Sequence, residues 1–285
     1  MVTKNDYQKR EIEVCLSVMI EIMTILGQYR DYIVLIGGWV PYFLLGDKGK
    51  RHIGSTDIDL ALNFQNITEE HYATIQQLLE NHNYKQGEQP YIFLREITID
   101  DIEYIIQVDF LSGEYGGTGR SHRTQRFQDI KIRKARGCDL SFDHNIKCCF
   151  TNKMPDGSIN ETEITVTGVI PFLVMKGMAL WDRYKEKDAY DIYFTISKYP
   201  GGIEALQKKF QPYVSHKLIS EGLGKIKAKF KEVNSPGPVW LVNFLDIQDP
   251  EERAIVQRDA SERINALLDP LEIKEFKTSP SQESK

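Results

Sequence analysis

Apolar side chains at Cys15, Val18, Met19, Ile22, Ile25 and Leu26 recur at helical spacing within residues 6–28, and Gly27 supplies a stop. A short β-branched run, YIVLI (32–36), then ends at Gly37-Gly38 and gives way to WVPYFLLG, a two-turn helix with Pro41 in its first turn. The pattern next predicts a strand over TDIDLAL (56–62) and a helix over 69–82 that Thr68 can cap. Two further strands are expected, at YIFLREIT (91–98) and EYIIQVDFL (103–111). Strands alternating with helices predict an α/β (α+β) sheet with flanking helices.

Residues 112–127, SGEYGGTGRSHRTQRF, hold four glycines and few apolar anchors, so a surface loop able to act as a lid is expected. IKCCFT (146–151) and EITVT (163–167) flank a Pro-Asp-Gly turn signal and predict a β-hairpin. Beyond it the periodicity turns helical over 172–198, 203–232 and 250–268, and KTSPSQESK closes the chain with disordered composition. With about 100–200 residues per domain, 285 residues suggest two lobes. The expected division is 1–168, a mainly helical lobe over 169–276 and a tail over 277–285.

Hydrophobic residues at 41% and charged residues at 27% are ordinary for a globular protein. No apolar run reaches the roughly 18 residues that cross a bilayer, and the N-terminus lacks a signal-peptide core, so a cytoplasmic protein without a membrane partner is expected. Cys15, Cys138, Cys148 and Cys149 form no C-x-x-C pair and read as reduced thiols. The net charge of −5 argues against a general nucleic-acid coat. Residues 120–136 nevertheless carry seven Lys or Arg against one acid, Asp129, which is either a phosphate-attracting surface or a solvated loop.

The candidate chemistry begins with GSTDIDLAL (54–62). The two-residue period of a strand projects Asp57 and Asp59 from one face, roughly 6.5–7 Å apart at Cα, and puts Ile58, Leu60 and Leu62 on the other. On the later strand, Tyr104, Ile106, Val108 and Phe110 share one face and Ile105, Gln107 and Asp109 the other, so Asp109 can complete a trio of acids. Three carboxylates repel unless divalent cations neutralise them, and all-oxygen donors select Mg²⁺ or Mn²⁺. Such ions serve phosphoryl or nucleotidyl transfer. A lone D-x-D is more often a turn cap beside a solvated edge residue. The order strand, Gly-Gly, helix, D-x-D, third strand acid is the more specific signal, since glycines at a helix start let backbone N–H groups approach an anion such as triphosphate.

These residues, I-G-G-W (36–39), R-H-I-G-S-T-D-I-D-L-A-L (51–62) and Q-V-D-F (107–110), resemble the nucleotidyltransferase superfamily of DNA polymerase β. VMKGMALWDRYKEKDAYDIYFTI (174–196) resembles the "K…AL…R…KD..D" segment of the AbiEii/MenT group of toxin-antitoxin toxins. The resemblance implies a nucleotidyltransferase fold in which Gly37, Gly38 and Ser55 approach the NTP triphosphate and Asp57 and Asp59 bind metal. It implies that Asp109 shares the metal and deprotonates an acceptor hydroxyl, that Lys176 touches phosphate, and that Asp188 is the acid of the Lys-Asp pair. Asp191 reads as a cap or supporting group, while without the resemblance Lys176, Lys187 and Asp188 would be a solvated helix face. Trp39 could stack on a nucleobase but is more often core beside a helix start, and Arg51 and His52 either contact phosphate or cover a loop.

The function implied is transfer of NMP from an NTP to a hydroxyl, with RNA, such as a tRNA 3′ end, favoured as acceptor by segment 120–136. A protein or small-molecule hydroxyl is the alternative acceptor, and a cognate antitoxin the implied protein partner. A sugar-nucleotide glycosyltransferase also uses Asp-x-Asp but leaves Gly37-Gly38 and Lys176 without a role. A non-catalytic nucleotide-binding module is the remaining class, which the presence of all three acids disfavours.

Overall fold

The computed structural model describes residues 2–46, 52–63, 69–113, 124–127 and 130–277; the side chains of 69–73, 124–127 and 130–133 are outside this description. Two compact units result, Tyr7–Phe172 and Leu173–Lys285, the latter joined by Met1–Asp6. The division falls four residues beyond the one expected from the sequence.

The first unit runs α1 (Lys9–Ile25), β1 (Ile33–Ile36), α2 (Val40–Leu45), β2 (Asp57–Leu62), α3 (Glu69–Asn81), β3 (Tyr84–Gln86), β4 (Ile92–Ile99) and β5 (Ile102–Ser112). It continues with β6 (Thr124–Phe127), β7 (Ile130–Lys134), α4 (Leu140–Asp143), β8 (Asn145–Lys153) and β9 (Ile159–Thr167). The strands form one mixed sheet in the order β3-β4-β5-β2-β1-β9-β8, with β7 also pairing with β5 and β6 with β7. This is the mixed α/β architecture that the alternating pattern predicts. Centrally, β2 lies antiparallel to β1 and parallel to β5.

Burial follows the two-residue period. Ile58, Leu60, Ile106, Val108 and Phe110 are fully buried with Phe93 of β4, whose ring meets Phe110 edge to face at 5.7 Å. The buried stripe of α1, including Cys15, Val18, Met19 and Ile22, packs against β2, β5, β8 and β9. One buried acid of that helix, Glu21, is neutralised: Arg95 donates to it at 2.9 and 3.1 Å, and the Tyr84 hydroxyl at 2.8 Å. This pins α1 to β3 and β4.

Turn chemistry sets the hairpins. Ile99 pairs with Ile102 across Asp100-Asp101, both with left-handed φ, as two-residue turns between twisted strands require. The Pro-Asp-Gly turn closes β8 onto β9 with a 2.7 Å bond from Met154 N–H to Ser158 O. One expectation is corrected. The loop predicted over 112–127 ends sooner, because β6 pairs antiparallel with β7 from Thr124↔Arg133 to Phe127↔Ile130. The glycine-rich part, 114–123, and the side chains of the cationic segment through Arg133 lie outside the described residues, as does Thr68.

The second unit consists of α5 (Val169–Asp182, shared at its start with the first unit), α6 (Glu186–Lys198), α7 (Gly202–Phe210), α8 (Lys217–Phe230), α9 (Pro236–Phe244) and α10 (Pro250–Leu268). The helical run expected over 172–198 is broken at residues 183–185, and that over 203–232 by a 3₁₀ turn at Gln211–Tyr213, where Pro212 removes a donor. Helix α10 is capped by Asp249, whose carboxylate accepts the Glu252 N–H at 2.8 Å. Among the described residues no helix is long and apolar enough to cross a membrane.

Candidate active site

Strand β1 ends at Ile36, whose register partner across the antiparallel ladder is Asp59. Across the parallel ladder Asp59 is opposite Asp109, and Asp57 is opposite Gln107. The two strand acids predicted to converge therefore sit side by side at the same level of neighbouring strands, and Asp57 lies two residues along on the same face. Asp109 is 3% exposed, whereas Asp57 and Asp59 are half-buried.

Between β1 and α2 the chain turns through a 3₁₀ turn, Gly37–Trp39. Gly37 has φ +74°, and a Cβ there would overlap Asp59 Oδ2 and lie 2.8 Å from Asp59 Cβ. Only glycine satisfies both the left-handed backbone and the close approach. Helix α2 has six residues, so the glycine turn, rather than a long helix axis, is what lies beside the carboxylates. Gly37→Ala is expected to cost about 1–3 kcal/mol of stability and to displace the Asp59 carboxylate, checked by denaturant unfolding together with transfer activity.

On the other side, Ser55 is buried and its hydroxyl donates to Asp57 Oδ1 at 2.5 Å. The Gln107 amide donates to Asp109 Oδ1 at 2.7 Å. Asp57 and Asp109 thus each have a polar neighbour from their own chain segment. Among the described residues no three His, Cys, Asp or Glu side chains close into a group able to hold a metal ion. Asp57 and Asp109 each engage a neutral donor of the chain. What fits a hard divalent cation is the donor chemistry, carboxylate and hydroxyl oxygens with no sulfur or imidazole, and the register that sets Asp59 beside Asp109.

Nearby groups complete the picture. Trp39 is fully buried, meets Tyr42 edge to face at 5.4 Å, and lies so close to Gly54 that a Cβ there would be 2.8 Å from Trp39 Cη2. Trp39 is core, which removes it as a base-stacking platform. His52 is buried and its Nδ1 accepts the Gly54 N–H at 3.2 Å, so it fixes the loop entering β2; Arg51 lies outside the described residues. Burial pushes the Cys15 and Cys138 thiols up, helped by Asp57 and Asp59 beside Cys15 and by Asp139 and Asp59 beside Cys138. Both are protonated at neutral pH. Sequence reasoning missed Cys138, whose thiol feels the charge of Asp59. A Cβ at Gly113, directly after β5, would overlap the Asp139 carboxylate, a long-range packing contact that carries no local signal.

Lys176 and Asp188 lie in the second unit, within a buried ion cluster. Lys176 Nζ is 2.8 Å from Asp188 Oδ1 and 2.6 Å from Asp191 Oδ2. Arg183 Nε donates to Asp188 Oδ2 at 2.8 Å, and Lys187 Nζ contacts Asp191 at 3.2 Å. Lys176, Lys187, Asp188 and Asp191 are each at most 7% exposed. The solvated-face reading is therefore overturned, and Asp191, read from sequence as a cap or supporting group, is a central member of the cluster. Burial opposes the charge on Lys176, but Asp188 and Asp191 outweigh it and hold the ammonium above its ordinary value. Burial likewise opposes the Asp188 carboxylate, which Lys176 and Arg183 hold below the usual range.

No protein-family model matches this chain, and no curated protein matches it. Among solved structures, it is similar to JHP933 from Helicobacter pylori, with 12% identity and a TM-score of 0.45 over 92% of this chain and 95% of that one. It is also similar to a candidate nucleotidyltransferase from H. pylori, with 14% identity and a TM-score of 0.43 over 89% and 94% of the two chains.

Proposed function

We propose that the chain is a metal-dependent nucleotidyltransferase that moves NMP from an NTP to a hydroxyl acceptor. The observation that carries this reading is the placement of Asp59 opposite Asp109 on parallel strands, with Gly37 cleared of side chain directly against Asp59.

In this reading Asp57, Asp59 and Asp109 would hold Mg²⁺ or Mn²⁺, which would supply charge neutralisation of the triphosphate. Gly37 and Gly38 leave backbone free to approach the triphosphate, and Ser55 orients Asp57 through its hydroxyl. Asp109, most buried of the three, accepts the proton of the acceptor hydroxyl, and Gln107 fixes which of its oxygens is available. The acceptor oxygen forms a bond to the α-phosphorus, the bond to the β-phosphate oxygen breaks, and pyrophosphate leaves. Lys176 would contact phosphate only by exchanging a carboxylate partner for a phosphate oxygen; Asp188 and Asp191 are the groups that set the cost of that exchange.

RNA, such as a tRNA 3′ end, is the acceptor we favour, with the cationic run 120–136 as its phosphate contact. A toxin role with a cognate antitoxin follows the resemblance of residues 174–196. Incubation with each α-labelled NTP, Mg²⁺ and total tRNA tests the reading. Label in RNA is expected; label in protein would move the acceptor to a protein hydroxyl, and no label in either would end the proposal. Growth arrest on expression, relieved by Asp57→Asn, is the expected mark of a toxin.

A further inference from the structure

The second unit carries a cluster that nucleotidyl transfer leaves unused. The Lys229 ammonium lies 4.8 Å from the Trp181 ring centroid, 5.3 Å from Trp240 and 5.4 Å from Tyr184. Tyr184 and Trp240 meet edge to face at 5.6 Å. Three π faces therefore surround one cation. Tyr184 is 77% exposed, far more than hydrophobic burial would leave a ring that large. It is exposed because the helical run breaks at residues 183–185 and turns it out of both helices.

The neighbouring lysines are answered by acids. Lys225 pairs with Glu221 at 3.1 Å, Lys227 with Asp269 at 2.7 Å and Lys231 with Glu275 at 3.2 Å. Lys229 has no carboxylate partner among the described residues. Rings hold it in place but cannot neutralise it, and partial burial pulls its pKa down. An unneutralised cation beside an open aromatic face is complementary to a planar ring attached to an anion. A cationic or methylated-lysine peptide suits it less, because Lys229 already occupies the space between the rings.

We propose that Trp181, Tyr184, Trp240 and Lys229 form a binding site for single-stranded RNA, one base stacking on the open face of Tyr184 and a backbone phosphate pairing with Lys229. Stacking on aromatic side chains tolerates any base, so the site would grip a strand without reading its sequence. It deepens the reading above, resting on RNA as acceptor, by naming residues of the helical unit that would hold the strand.

The test is binding without NTP. A fluorescein-labelled dodecariboadenylate is titrated into the full chain and followed by anisotropy at several salt concentrations. Tyr184→Ala, at an exposed position, is expected to weaken binding roughly 5- to 150-fold, while Tyr184→Phe keeps it within about twofold. Lys229→Gln is expected to lower the slope of log K against log salt by about 0.7. The Asp57→Asn/Asp59→Asn protein, inactive in transfer under the reading above, is expected to bind the oligonucleotide as wild type does. Loss of transfer with binding retained thus separates the two claims. Absence of binding by the wild type, equal binding by Tyr184→Ala, or preferential capture of a trimethyllysine peptide over the RNA would overturn the site.

Discussion

Asp59→Asn is expected to lower nucleotidyl transfer by roughly 10³-fold while leaving the protein folded. Asparagine keeps the size of the side chain that packs against Gly37, so the β1–β2–β5 register survives; only the negative charge is lost. Because Asp59 lies opposite another carboxylate, the melting temperature is expected to stay level or rise slightly as like-charge repulsion falls. Asp109→Asn is expected to cost about 10²–10⁴-fold through loss of the proton acceptor. The two substitutions differ in binding. Asp57→Asn/Asp59→Asn should abolish divalent-dependent NTP binding, and Asp109→Asn should lower kcat more than it raises KM. Transfer by Asp59→Asn within tenfold of wild type would remove the carboxylate from the chemistry.

The second large effect belongs to the ion cluster of the helical unit. Lys176→Met deletes the ammonium that two buried carboxylates share, and breaking a buried pair typically costs about 3–5 kcal/mol. Arg183 and Lys187 still reach Asp188 and Asp191, which puts the expected loss at the lower end of that range. Its pH dependence has a definite sign. Asp188 is held below its ordinary value, so its stabilisation is present above the unfolded carboxylate pKa of about 3.9 and is lost as pH falls through the folded value. Lys176 is held above its ordinary value, so its share is present below about pH 10.4 and is lost only as pH rises through the folded value. The stability difference between wild type and Lys176→Met is therefore expected to be flat between about pH 5 and 9 and to shrink in acid. Trp181 and Trp240 report unfolding of this unit once Trp39 is replaced by Phe. A loss below about 1 kcal/mol would mean that the cluster does not hold the unit together, leaving Lys176 available for phosphate.

The sequence was most informative where one periodicity ruled a whole element. The alternation Asp57-Ile58-Asp59-Leu60 and its counterpart on β5 announced strands with an acidic face; the register that places Asp59 and Asp109 side by side comes from the ladder, which alternation allows but does not set. Gly37 was legible as a turn; that it must also clear Asp59 was not, because only the folded register brings them together. Strand β3 has three residues, too few for any period to show. The β6–β7 hairpin was read as loop because its pairing is made by backbone at the side of β5, while four of its nine residues are charged. Helix α9 begins Pro-Gly-Pro, a loop signal in isolation that a first helical turn tolerates. The buried charges of α6 were the least legible, since E-K-D-A-Y-D has the composition of a solvated face. Its burial depends on Lys176, a residue of another helix.

In the proposed enzyme the acids of β2 and β5 bind a nucleoside triphosphate through a divalent cation beside Gly37. Isothermal titration calorimetry of each NTP, run in Mg²⁺ and again in EDTA, addresses it most directly. Heat of binding for at least one NTP in Mg²⁺, absent in EDTA and absent in Asp57→Asn/Asp59→Asn, is the predicted result. Equal affinity in EDTA, or an undiminished isotherm from the double variant, would contradict it.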